Sequence, residues 1–138
     1  MSASTRPEQA HDELTPPVLV YLASQTLGRL ATVDPKNAPQ NSPVGFTHNA
    51  ELGTIDIGGW NLGESRKFRN IEKNPAVSFV VDDIPSTNPW RVRMVEIRGT
   101  AEALRGIPAA DGGTSELIRV HPRRVITFGL DGEAPPEG

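Results

Sequence analysis

The chain has 138 residues, and its 14 basic and 17 acidic side chains nearly balance at a net charge of -3. Such a balance sets up no global field for nucleic acid, so any anion site must be local. The chain has no cysteine, which excludes disulfides, thiolate metal sites and cysteine nucleophiles, and its length predicts a single domain.

Residues 1–13 are polar and read as a disordered N-terminal segment, with no apolar core of a signal peptide. The apolar run Val18–Ala23 is far too short to span a bilayer, so a cytoplasmic protein without membrane contact is expected. Residues 14–130 form the expected domain, and the tail 131–138 reads as disordered by composition.

Within the domain, Thr15 is placed to cap a helix that opens on Pro16 and Pro17 and runs to about Gln25. A first strand is predicted over Leu27–Val33 and turns at Asp34-Pro35-Lys36-Asn37. The second strand, Pro39–Thr47, carries Pro43 and Gly45 and so belongs at a sheet edge or a bulge. After a turn at His48–Glu51, Leu52–Trp60 reads as a third strand from the alternation of Ile55 and Ile57 with Thr54 and Asp56.

Asn61 and Glu64 are spaced as a capping box for a short basic helix that Pro75 terminates. Ala76–Val81 is nearly continuous apolar sequence and reads as a buried strand, with a proline-rich loop over Asp82–Pro89. Trp90–Leu104 reads as a long strand whose alternation slips at Met94-Val95, as at a bulge. Glu116–Val120 and Arg123–Leu130 follow as separate segments. Short strands punctuated by thirteen prolines and thirteen glycines predict a mainly β protein, a small antiparallel barrel with a few short helices.

The candidate site lies between the third strand and the basic helix. Gly58 and Gly59 permit close approach of a ligand to backbone. Ser65, Arg66 and Lys67 then fall in the first turn of a helix, where free N–H groups and the macrodipole already favour an anion. Cations there have no obvious structural purpose, which points to phosphate; a solvated basic face is the competing reading. His11, His48 and His121 stand far apart and without carboxylates at ligand spacing, so no metal site is expected. No serine has a G-x-S-x-G setting, so no hydrolase triad is expected either.

Several of these pieces together resemble a known family. They are Gly28-Arg29-Leu30-Ala31-Thr32-Val33-Asp34, then Pro39–Phe46, then Ser65-Arg66-Lys67 with Asn70, Asn74-Pro75 and Val77. Arg98-Gly99-Thr100-Ala101-Glu102 and His121-Pro122-Arg123-Arg124-Val125 complete the series. In this order they resemble the pyridoxamine 5'-phosphate oxidase-like flavin and deazaflavin proteins. Pro89-Trp90-Arg91 and the Pro122-Arg123-Arg124 ending look most like the branch that binds the deazaflavin coenzyme F420, although Phe128 stands where that branch commonly has tryptophan.

The resemblance implies a split β-barrel of the FMN-binding type, paired as a homodimer with a cofactor in each of two clefts between subunits. It implies that Ser65, Arg66 and Lys67 meet the cofactor's phosphate. The ring would lie along backbone at Asn41, Ser42, Pro43 and Val44 and at Gly58, Gly59 and Trp60. The expected function is oxidoreduction, with F420 passing hydride to a small organic acceptor and no catalytic side chain assigned. FMN in the same site is the alternative cofactor, and cofactor binding without turnover the alternative function. Arg91, Arg93 and Arg105 are candidates for the acidic tail of F420 by analogy alone.

Overall fold

The computed structural model describes residues 8–133, which fold into eight strands and two α-helices. In chain order these are β1 (Gln9–His11), α1 (Pro16–Ala23), β2 (Leu27–Val33), β3 (Pro39–Gly45), β4 (Thr47–Asn49) and β5 (Thr54–Ile57). A 3-10 turn, Leu62–Glu64, leads into α2 (Arg66–Lys73), and β6 (Ala76–Thr87), β7 (Trp90–Pro108) and β8 (Thr114–Phe128) complete the chain.

All strand pairs are antiparallel, in the order β3-β2-β6-β7-β8-β5-β4, with β1 added beside the far end of β8. The two outermost strands of this order, β3 and β4, are separated in sequence by Phe46 alone. The sheet therefore has to roll until its ends meet, which gives a barrel closed by covalent connection rather than by a ladder. Its interior holds Leu30, Ile55, Ile57, Phe79, Val81, Val95, Ile97, Ile118, Val120 and Val125, all fully buried. The expected mainly β class and edge position of the proline-bearing strand are both present.

Several boundaries differ from the sequence reading, each for a local reason. Residues 9–11, expected to be disordered, form β1 by pairing with Val125–Thr127. The ordered structure also continues past 130. The Glu133 carboxylate accepts from Thr127 Oγ1 at 2.6 Å and lies 3.1 Å from His11 Nε2. Residues 1–7 and 134–138 lie outside the described chain.

The loop expected over Asp82–Pro89 is mostly strand, because polar residues suit a solvent-facing hairpin end; the turn proper is the cis Asn88-Pro89. β7 runs straight through Met94-Val95; its own bulge lies at Arg105-Gly106, and the shift at Arg98/Gly99 comes from an extra residue on β8. The two segments expected after Gly113 are one strand, β8, carrying the Arg123 bulge between them. The strand expected over Leu52–Trp60 is confined to Thr54–Ile57, and Phe46 divides the one expected over Pro39–Thr47.

Thr15 stands at the start of α1 but its side chain makes no cap bond, and Pro16 and Pro17 set the helix start instead. α1 is fastened by Tyr21, which donates to Asp83 Oδ1 at 2.9 Å beneath the Arg93 guanidinium. Arg93 and Tyr21 hold the Asp83 carboxyl below its ordinary value, with Gln25 adding a third hydrogen bond. Arg93 is therefore committed to the fold and is not free to meet a ligand tail.

Candidate functional site

The basic helix is built differently from its expected capping box. Asn61 adopts a left-handed conformation (φ 56°) and makes no side-chain cap bond. The N-cap of α2 is Ser65, whose Oγ accepts from Phe68 N at 3.3 Å and donates to the Leu62 carbonyl at 2.6 Å. Its hydroxyl proton is thus engaged within the turn. Phe68 and Ile71 bury the inner face of α2.

This cap leaves a defined set of free groups. The helix positions after Ser65 are Arg66 and Lys67, whose backbone N–H groups have no intrahelical acceptor. Neither side chain forms an ion pair or hydrogen bond with any described residue, and the same holds for Arg69 and Lys73. Arg29, Arg93, Arg98, Arg105 and Arg119, by contrast, are all paired to carboxylates. An unpaired guanidinium, an unpaired ammonium and two free N–H groups at one helix start can hold a dianionic phosphate.

On β3 the side chains divide by face. Asn41 and Pro43 are exposed, whereas Ser42 is half-buried and Val44 belongs to the core. As β3 is an end strand, its outer edge offers backbone groups that pair with no neighbouring strand. Ser42 Oγ, on the same face as Val44, is buried and without a hydrogen-bond partner among the described residues.

The third group follows β5. Gly58 and Gly59 are exposed, and a Cβ at either would meet nothing within 4 Å. Trp60 is 94 % exposed, extreme for the largest apolar side chain. Because Thr47 pairs with Asp56, the residues just before Thr47 and just after Asp56 leave from one spot. Phe46, which links β3 to β4, therefore lies close to Ile57, the last residue before the glycine pair. Burial pushes the Asp56 carboxyl up, but hydrogen bonds from Arg119, Asn49 and Thr54 outweigh it and hold the group below its ordinary value. That cluster fixes the β4–β5–β8 ladder from which the glycine pair emerges.

A buried relay joins the helix to the end strand. Asn70 of α2 donates to Thr32 Oγ1 at 3.0 Å, and Thr32 donates to Gln40 Oε1 at 3.1 Å, one residue before Asn41. Asn70 and Thr32 are 4 % and 1 % exposed and Gln40 is half-buried, so the relay ties α2 to β3 through a buried Asn70–Thr32 bond. Asn70 and Thr32 stood out in the sequence only through the family pattern, because a polar residue on an amphipathic helix announces no partner. Glu116, which accepts from Gly63 N at 3.1 Å just before α2, carried no sequence signal at all.

Known proteins place this architecture. The family model described as pyridoxamine 5'-phosphate oxidase matches residues 14–128. The chain is 49 % identical over 117 residues to a 5a,11a-dehydrotetracycline/5a,11a-dehydrooxytetracycline reductase of Streptomyces rimosus, covering 83 % of this chain and 82 % of the relative. A solved F420 reductase superposes with a TM-score of 0.54 at 27 % identity, over 70 % of this chain and 86 % of its own. The FAD-binding protein of Mycobacterium smegmatis shares the fold, with a TM-score of 0.61 at 21 % identity over 80 % and 89 % of the two chains. Among the described residues no helix is long and apolar enough to cross a membrane. From its fold, its matched length and its 49 % identical relative, the chain belongs to the pyridoxamine 5'-phosphate oxidase family of split-barrel proteins and is an oxidoreductase.

Proposed function

We propose that the protein is an F420-dependent reductase that delivers hydride to a carbon–carbon double bond of a small polycyclic acceptor. The observation that carries this reading is the unpaired Arg66–Lys67 pair at a helix start, set beside a glycine pair with open space above it. The residues fit a group with a phosphate and a flat ring: unpaired cations at a helix start and open space at Gly58 and Gly59. The 49 % identical relative is named as a reductase of 5a,11a-dehydro compounds, which supports the acceptor class, and the F420 reductase supports the cofactor.

F420 supplies the hydride, and the chain's own residues bind, orient and exclude water. Arg66 and Lys67 hold the phosphate through their side chains and free N–H groups. Gly58 and Gly59 let the ring settle on backbone, and the β3 edge at Asn41–Val44 hydrogen-bonds its rim. No side chain at the site is arranged as an acid–base pair.

The test is fluorescence quenching of F420 and of FMN by the purified protein. F420 is expected to bind in the micromolar range, about -8 kcal/mol, and FMN more weakly. FMN that co-purifies and resists displacement by F420 would transfer the site to the FMN-dependent alternative. Tight F420 binding without reduction of any fused-ring enone would favour a carrier.

A homodimer belongs to the same reading. Trp60 at 94 % and Trp90 at 63 % exposure leave large apolar side chains uncovered among the described residues. Light scattering at micromolar concentration should return about twice the chain mass, and a monomer that binds F420 at full strength would remove the dimer from the proposal.

A further inference from the structure

The bulge of β7 at Arg105-Gly106 has a consequence for the anion site. Leu104 pairs with Leu117 and Ile107 with Ser115, so Arg105 and Gly106 together oppose the single residue Glu116. Gly106 takes the left-handed conformation (φ +71°) that such a bulge uses. Bulges re-aim side chains, and here the residues on both sides of the bulge reach the same residue, Gly63. Glu116 Oε1 accepts from Gly63 N at 3.1 Å, while Arg105 Nη2 lies 3.5 Å from the Gly63 carbonyl. The Arg105 guanidinium also lies 4.6 Å from the centre of the Phe68 ring and 3.5 Å from Glu72 Oε2. It therefore contacts the chain on both sides of Arg66 and Lys67, at the 3-10 turn before them and on α2 after them. The fit is close: a Cβ on Gly63 would come within 2.9 Å of Arg105 and 3.0 Å of Glu116.

We infer that Arg105 and Glu116 are positioning residues that hold the Gly63–Ser65 turn, and through it the free N–H groups and cations of Arg66 and Lys67, in the geometry that binds a phosphate. They act through the turn and touch no reacting atom. A short 3-10 turn followed by a two-turn helix has little stiffness of its own, so its first N–H groups point reliably only if the preceding peptide is held. Gly63 joins the two peptides that precede the helix start: it is buried, its N–H donates to Glu116 at 3.1 Å, and its C=O lies 3.5 Å from Arg105. Arg105 is accordingly assigned to this clamp instead of to the tail of F420. This inference rests on the proposal that α2 meets the cofactor's phosphate.

The test compares F420 with its phosphate-free deazaflavin ring as fluorescent ligands, on Arg105→Ala, Glu116→Ala, Glu116→Gln and Lys67→Ala. Arg105→Ala and Glu116→Ala should each weaken F420 about three- to tenfold, the scale of one net hydrogen bond. The phosphate-free ring should change less than about twofold, since only the phosphate depends on the turn. Glu116→Gln should restore F420 binding to within about twofold, because the amide oxygen still accepts from Gly63 N–H. Arg105 is half-exposed, so its variant tests the clamp even where Glu116→Ala is poorly folded. Equal losses for both ligands, unchanged F420 affinity in Arg105→Ala, or failure of glutamine to rescue would each overturn the inference. If Lys67→Ala also leaves F420 unchanged, the phosphate reading of α2 fails with it. If Lys67→Ala weakens F420 and the clamp variants do not, the clamp alone is wrong.

Discussion

Lys67→Ala should weaken F420 binding ten- to a hundredfold while leaving the melting temperature of the cofactor-free protein within about a degree. The affinity loss corresponds to roughly 1.5–3 kcal/mol, the range for a hydrogen bond to a charged group. The small stability effect follows from what Lys67 lacks: it has no ion pair and no hydrogen bond with any described residue. It also sits near the positive end of the α2 dipole, where a cation is neutral or slightly unfavourable, and alanine is the better helix former. Fluorescence titration and a thermal melt on the same variant separate the outcomes. Unchanged affinity would make α2 a solvated basic face. A collapsed melting temperature would make Lys67 a structural residue. Arg66→Ala should behave alike, with a smaller loss if the two cations share the phosphate, and the pair should be non-additive because they would meet one anion.

What the sequence could disclose here depended on how local the cause was. Strand β2 was legible to the residue, because apolar alternation and an Asp-Pro turn are properties of neighbouring residues. The edge placement of β3 was legible because proline cannot serve a central ladder. The capping residue of α2 was misread because two polar residues, Asn61 and Ser65, each suit an N-cap, and only the intervening 3-10 turn decides between them. The bulges were misplaced because a bulge is a relation between two strands. Met94-Val95 looks irregular in sequence yet pairs regularly with Phe128-Thr127, whereas Gly99 shows its irregularity only against His121–Arg123. The cations at 66 and 67 were found in sequence as unexplained charge. Their lack of partners, the contacts of Arg105 and Glu116 with Gly63 and the relay through Asn70 are long-range relations that local pattern does not encode.

Gly99→Ala should destabilise the fold by about 2–3 kcal/mol and lower the melting temperature by roughly 10 °C. Gly99 lies in the Arg98-Gly99-Thr100-Ala101-Glu102 run, where β7 meets the bulge of β8. A Cβ there would fall on the His121 carbonyl oxygen, far inside the 3.0 Å that real contacts respect, with Arg123 N close behind. These are backbone atoms of the neighbouring strand and cannot rotate away as a side-chain tip would, so the β7–β8 ladder must open locally. That ladder also carries Val95, Ile97, Val120 and Val125, all fully buried, so its opening loosens the core. Gly58→Ala is the instructive counterpart. Nothing lies within 4 Å of the Cβ it would gain, so the cofactor-free melting temperature should hold. F420 affinity should nevertheless fall several-fold, since the added methyl occupies the space through which a ring reaches backbone. One glycine is thus required by the chain's own packing, and the other, under the proposed function, by the ligand. Melts and titrations on the two variants should move in opposite columns, and a Gly58→Ala protein that binds F420 normally would remove the glycine pair from the ring site.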